Sequence, residues 1–170
     1  TMDMVAAFDL AQKITAIALV PIQMVNQAIY PHLARTLNKL FARKMLIVNV
    51  ALSFVIAMSV FALAPYAVYY FSKGELEASV FLTRILCVWL FFGGIVVYLG
   101  GPVLVSFGYP KPFNDSVILG TFILLISYLL LYVCGGLDDV LNFAYVLCFS
   151  EIAMFSYRLF YCMKYKLFAR

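Results

Sequence analysis

Charge is scarce in this chain of 170 residues: lysine, arginine, aspartate and glutamate together make up 12% of it, against 66% hydrophobic residues. A soluble domain carries about twice that share of charge, so a water-exposed surface over the whole chain is excluded. Histidine is nearly absent, with His32 alone, so neither a histidine-based metal cluster nor a Ser/His/Asp triad can be assembled. The four cysteines, Cys87, Cys134, Cys148 and Cys162, have no CxxC spacing and read as small buried hydrophobes. The net charge of +4 is better explained by a membrane topology than by an acidic partner, so nucleic acid is not expected, nor is a cofactor. Polar loops long enough to carry catalytic groups are also missing, which argues against an enzyme. The chain starts at Thr1 without a signal-peptide pattern and is expected to be a piece of a longer protein.

What the chain has instead is long apolar runs, with a mean hydropathy of +1.02. A bilayer core of ~30 Å needs about 20 apolar residues at a helical rise of 1.5 Å. Five stretches meet or approach that length: 8–30, 45–71, 80–107, 117–134 and 140–161. The expected fold is therefore all-α, a polytopic transmembrane bundle of five spans. The third span is long and is expected to tilt or break at Gly100, Gly101 and Pro102, and the fourth is short. Pro21 and Pro65 are expected to kink the first and second spans.

The connections alternate in charge. Segment 31–44 has Arg35, Lys39, Arg43 and Lys44 without an acid, and segment 72–79 sets Lys73 against Glu75 and Glu77. Segment 108–116 has Lys111 and Asp115, 135–139 has only Asp138 and Asp139, and Lys164, Lys166 and Arg170 follow the last span. The positive-inside rule then places the first and third connections and the C-terminus in the cytoplasm. Tyr66, Tyr69 and Tyr70 on one side, and Tyr157, Tyr161 and Tyr165 on the other, sit where interfacial aromatic belts are expected.

The first span carries a polar stripe. At 100° per residue, Asp9, Lys13, Ala16, Val20, Gln23 and Gln27 fall within about 40° of one direction, flanked by Gln12 and Tyr30. Such groups are costly in hydrocarbon and normally face a bundle interior or a wet cavity. Asp9 and Lys13, four residues apart, either anchor the helix as an interfacial pair or mark the mouth of a cavity. Gln23, Asn26 and Gln27 suit either sugar hydroxyls or helix-to-helix bonding. Pro21 can rotate the two halves of the stripe apart. Glu151 lies eleven residues into the last span, roughly 16 Å deep, where an acid is functional by default or bonded to another helix. Arg158, seven residues on, shares its face but at ~10.5 Å of rise is too far for a direct pair unless the side chains stretch. Arg84 either snorkels to the headgroups or faces a cavity to bind phosphate. Asp138 and Asp139 read as a solvated turn in preference to a metal-binding pair, and the basic residues of 31–44 also suit anionic lipid.

The segment FDLAQKITAIALVPIQMVNQAIYPHLAR resembles the family pattern of the Wzx-like oligosaccharide-lipid flippases. These belong to the multidrug/oligosaccharidyl-lipid/polysaccharide exporter superfamily. YLGGPVLVSFGYPKPF is similar to that family's Gly-rich span and basic loop, and FSEIAMF around Glu151 to its last span. The resemblance implies most of the C-terminal lobe of a MATE-like two-lobe transporter in a bacterial inner membrane, with the N-terminal lobe of the same chain as partner. It implies export of an isoprenoid-pyrophosphate-linked oligosaccharide for surface polysaccharide such as O-antigen. It also implies Arg84 and Lys13 for phosphate contact, Gln23 and Gln27 for sugar contact, and Asp9 or Glu151 for coupling to a cation or proton. The alternatives are a cation-coupled exporter of the same superfamily, a membrane-embedded polymerase or glycosyltransferase, and a purely structural subunit.

Overall fold

A computed structural model describes residues 2–72, 78–136 and 139–168. Lys73, Glu75, Glu77, Asp138 and Arg170 lie outside the described residues. The described chain is all helical: α1 Met2–Thr36, α2 Lys39–Ser72, α3 Ala78–Tyr98, a π-helical segment Leu99–Val105 that continues α3, α4 Pro110–Val133 and α5 Val140–Lys164. Five helices are long and apolar enough to cross a membrane, the third being α3 together with its π segment.

The helices run past the hydropathy boundaries because a helix keeps its own backbone bonds satisfied as it leaves the hydrocarbon. Segment 31–44, expected as a loop, is nearly all helix, and the turn shrinks to Leu37, with φ 48°, and Asn38. The Asn38 side-chain carbonyl accepts from the Phe41 amide at 3.1 Å and so caps α2. The fourth span is not short, because α4 begins at Pro110, whose fixed φ and missing N–H suit a first helical position. Asp139 caps α5 by accepting from the Leu141 amide at 3.0 Å. After α5, Lys166 takes φ 52° and the Leu167 amide donates to the Cys162 carbonyl at 3.0 Å, a C-terminal cap that buries the Leu167 side chain.

Helix α3 occupies the centre, packed against α1, α2 and α5, while α4 lies against α5 and the π segment. Three apolar clusters follow its length: Ala7, Ala11, Leu82, Leu86, Val140 and Ala144 at one end, Leu19, Ile22, Ala57 and Leu90 in the middle, and Leu33, Tyr98, Leu104, Cys162 and Leu167 with neighbours at the other. The Tyr98 hydroxyl donates to the Ala42 carbonyl at 2.7 Å, tying the core to the start of α2. In α2 the buried residues are Ala42, Asn49, Ser53, Ala57, Ala64 and Val68, while Phe54, Val55 and Met58 point outward. Small and polar inside with large and apolar outside suits lipid, where close backbone approach drives helix association. Phe122, Leu125, Ile126, Leu129 and Leu130 give α4 a similar apolar outer face.

Gly100, Gly101 and Pro102 do not break the third span; the chain widens into π geometry and stays helical. Both α1 and α2 also continue through their prolines. Among the cysteines, Cys87, Cys148 and Cys162 are buried as expected, whereas Cys134 is exposed because it caps the solvent end of α4. Tyr66, Tyr69 and Tyr70 are strongly exposed, as a belt requires. Tyr157, Tyr161 and Tyr165 instead pack on one another in a ladder, with centroid spacings of 4.8 and 5.8 Å.

Candidate functional site

A cavity of about 700 Å³ is an open groove lined by α1, α3, the π segment, α4 and α5. Most of its lining is apolar, from Val96, Val97, Pro102, Phe113, Val117 and Met154; the polar groups are Asn26, Gln27, Glu151, Arg158 and the phenol of Tyr30. Few polar groups on apolar walls is the usual make-up of a ligand pocket.

Arg158 is 4% exposed, and its position depends on three other elements. Nε donates to the Ser116 hydroxyl at 2.8 Å, Nη1 donates to the Val96 carbonyl at 2.6 Å, and the guanidinium lies 4.8 Å from the Phe113 ring centroid. The Val96 carbonyl lies just ahead of the π segment, where the switch from i−4 to i−5 bonding changes the backbone's carbonyl partners. Gly100 makes the approach possible. A Cβ there would overlap Arg158 Nη1 and come within 2.9 Å of the Phe113 ring.

Glu151 is 8% exposed, with Oε1 facing Gly93 and Trp89 beside it. No cation stands within ion-pair distance of it among the described residues, where Lys13 with Asp9 at 2.6 Å is the one ion pair. The i,i+7 spacing does bring Glu151 and Arg158 to one groove without a direct pair. An acid outside ion-pair contact and a bonded base are expensive in a membrane bundle, and such groups mark functional pathways.

Asp9 and Lys13 line a separate pocket of about 260 Å³ with Gln12, Ala16, Leu86, Trp89 and Leu147. Trp89 thus borders this pocket and neighbours Glu151 as well. Gln23 is half-buried and lines neither cavity. Arg84 is exposed, with its guanidinium 5.1 Å from the Phe61 ring centroid on α2, and lines neither cavity. The structure therefore brings together Gln27 and Glu151 in one place, and Asp9 and Lys13 in another.

Asn26 is a bonding residue between helices. Buried at 1% exposure, its side-chain carbonyl accepts from Asn49 Nδ2 at 2.8 Å across the α1–α2 seam. Arg158 is the cavity residue that sequence reasoning weighed only as a partner for Glu151. Its signal was the shared face of α5 together with the glycines and proline of the third span. Comparison of the chain with protein-family models, with curated proteins and with solved structures finds no match.

Proposed function

We propose that the chain is the larger part of the C-terminal lobe of a two-lobe, MATE-like transporter that moves an isoprenoid-pyrophosphate-linked oligosaccharide across a bacterial inner membrane. The observation that carries this reading is the groove itself: an amide, an acid and a guanidinium, Gln27, Glu151 and Arg158, on otherwise apolar walls inside a membrane bundle. An amphipathic anion fits such a surface, with its tail left to lipid. The sugar-pyrophosphate identity rests on the resemblance of the first, third and last spans to the Wzx-like exporters. In this reading the N-terminal lobe faces the groove and the polar side of α1, and the two lobes rock to give alternating access. Arg84 stands over Phe61 away from the groove, so the phosphate contact passes to Arg158, whose guanidinium has N–H groups beyond the two already used. Gln27 contacts sugar hydroxyls, Glu151 binds the coupling proton or cation, and the C-terminus is cytoplasmic.

The test is export of surface polysaccharide by the complete protein carrying Gln27→Ala, Glu151→Gln or Arg84→Gln, with membrane levels measured alongside. Each of the first two is expected to lower export at least about tenfold at normal abundance, the loss that follows when a site's polar group goes unpaired. Arg84→Gln is expected to export normally. Normal export by both Gln27→Ala and Glu151→Gln would refute the assignment of this groove to the substrate path.

Glu151 also supports a second reading. A buried acid with no cation in ion-pair contact among the described residues suits a cationic substrate, as in a drug or metabolite exporter of the same superfamily. Efflux of organic cations that is lost in Glu151→Gln, with polysaccharide export unaffected, would select it.

A further inference from the structure

Another cavity, about 320 Å³, opens at the end of the bundle that carries the C-terminus, between the turn before α4, the first turn of α4 and the last turn of α5. Its lining is mostly polar, unlike the groove, and the residues that matter are Tyr109, Lys111, Asp115, Tyr161, Lys164 and Tyr165. One wall is rigid: the Tyr109 and Tyr165 rings stack at 4.0 Å and 7°. Each side of that stack is pinned by its own turn. Gly108 takes φ 84°, a conformation that favours glycine, and the Tyr109 amide then donates to the Leu104 carbonyl at 2.8 Å. Beyond Tyr165, the buried Leu167 holds the segment after α5 against the core.

The charges in this cavity are unmatched. Lys111 and Lys164 line it with Asp115, yet among the described residues neither lysine forms an ion pair with that acid. Lys164 Nζ instead lies 5.5 Å from the Tyr161 ring centroid. Ammonium and phenol groups on a fixed aromatic wall are donors suited to phosphate oxygens. The acid beside them disfavours a dianion and can accept a hydrogen bond from a hydroxyl. The cavity also sits where α1 ends and α2 begins, since Leu33, Ala42, Leu104, Cys162 and Leu167 share one cluster, which puts it at a membrane surface. We infer that this cavity holds the headgroup of an anionic phospholipid, a singly charged phosphodiester bearing hydroxyls, with Lys111 and Lys164 on the phosphate and Asp115 on a headgroup hydroxyl.

The experiment is native mass spectrometry of the whole chain in detergent, titrated separately with phosphatidylglycerol, phosphatidylcholine and inorganic phosphate. Phosphatidylglycerol is expected to bind at least about tenfold more tightly than phosphatidylcholine, as two lysines near an anionic surface allow. The double variant K111Q/K164Q should lose that preference, and K164Q alone should lose part of it. R35Q/K39Q removes the same charge at the same end of the bundle and should keep the preference. An equal loss in R35Q/K39Q would reduce the effect to general surface charge and overturn the site. Inorganic phosphate binding as tightly as phosphatidylglycerol, and equally lost in K111Q/K164Q, would overturn the lipid assignment.

Discussion

Replacing Gly100 by alanine adds one methyl group where the π segment meets Arg158 of α5 and Phe113 of α4. A Cβ at that position meets Arg158 Nη1 and two carbons of the Phe113 ring at 2.9 Å, whereas a Cβ on the adjacent Gly101 meets nothing within 4 Å. The same substitution at neighbouring positions therefore separates crowding from helix propensity. At Gly101 the expected effect is neutral to a stabilisation of up to about 1 kcal/mol, the usual gain of alanine over glycine in a helix. At Gly100 that gain is opposed by overpacking, about 1–3 kcal/mol. Displacing the guanidinium from the Val96 carbonyl and Ser116 adds to the cost. A bond to a charged group contributes about 1.5–3 kcal/mol in water-soluble proteins, and interhelical polar bonds in membranes average nearer 0.6. The balance is a destabilisation of about 2–3 kcal/mol for Gly100→Ala. Reversible unfolding of both variants in mixed detergent micelles measures it. An Arg158→Ala background should reduce the cost of Gly100→Ala by about 1 kcal/mol or more, since residues in contact couple by that order. Equal stability of Gly100→Ala and Gly101→Ala, or strict additivity with Arg158→Ala, would refute the packing argument.

Two further outcomes test other parts of the bundle. The Asn26–Asn49 pair makes one hydrogen bond and leaves Asn26 Nδ2 and Asn49 Oδ1 without partners. Asn49→Leu should then cost about 1–3 kcal/mol by orphaning a buried amide, while the double change Asn26→Leu/Asn49→Leu should recover most of it; unfolding midpoints that simply add would contradict this. The polar face of α1 should be wet: in a Cys134→Ser background, Ala16→Cys is expected to react with a water-soluble thiol reagent at least about tenfold faster than Leu125→Cys on the outer face of α4, because the reaction needs a hydrated thiolate. Equal rates would mean that lipid covers both faces.

The spans and the stripe were legible in the sequence because hydropathy and a 3.6-residue period are local properties. Helix ends were not, since charged residues such as Arg35 and Lys39 mark the limit of the hydrocarbon and not the limit of the helix. Lysine in the first turn of α2 even opposes the helix dipole, so its placement answers to topology more than to helix stability. Glu151 was legible from depth alone. The role of Arg158 was not, because its partners Ser116 and Val96 lie 42 and 62 residues away in the chain, and no local pattern announces which carbonyl a π turn will offer. Arg84 shows the converse: a charge inside an apolar run draws attention, yet its neighbour is the Phe61 ring on α2.

The buried positions of α1 bear on whether the stripe is one surface or two. Ala7, Ala11, Ile14, Thr15, Leu19, Ile22, Asn26 and Leu33 are buried, positions that stay on one side of the helix and cross Pro21 without a change of phase. The opposite face keeps its phase as well: Asp9, Gln12, Lys13, Ala16, Val20 and Gln27 are exposed and Gln23 is half-buried. The prolines of this helix sharpen what can cover that face. Pro21 and Pro31 supply no N–H for the carbonyls of Ile17 and Gln27 four residues earlier, and both of those residues lie on the exposed side. A free carbonyl facing hydrocarbon costs several kcal/mol, so such groups in spanning helices face protein or water. The polar side chains of α1 and its proline-freed carbonyls thus ask for the same neighbour, a polar surface or a water-filled space, at the pocket of Asp9 and Lys13 and again at the groove of Gln27, with the exposed Ile17, Val20 and Met24 between them.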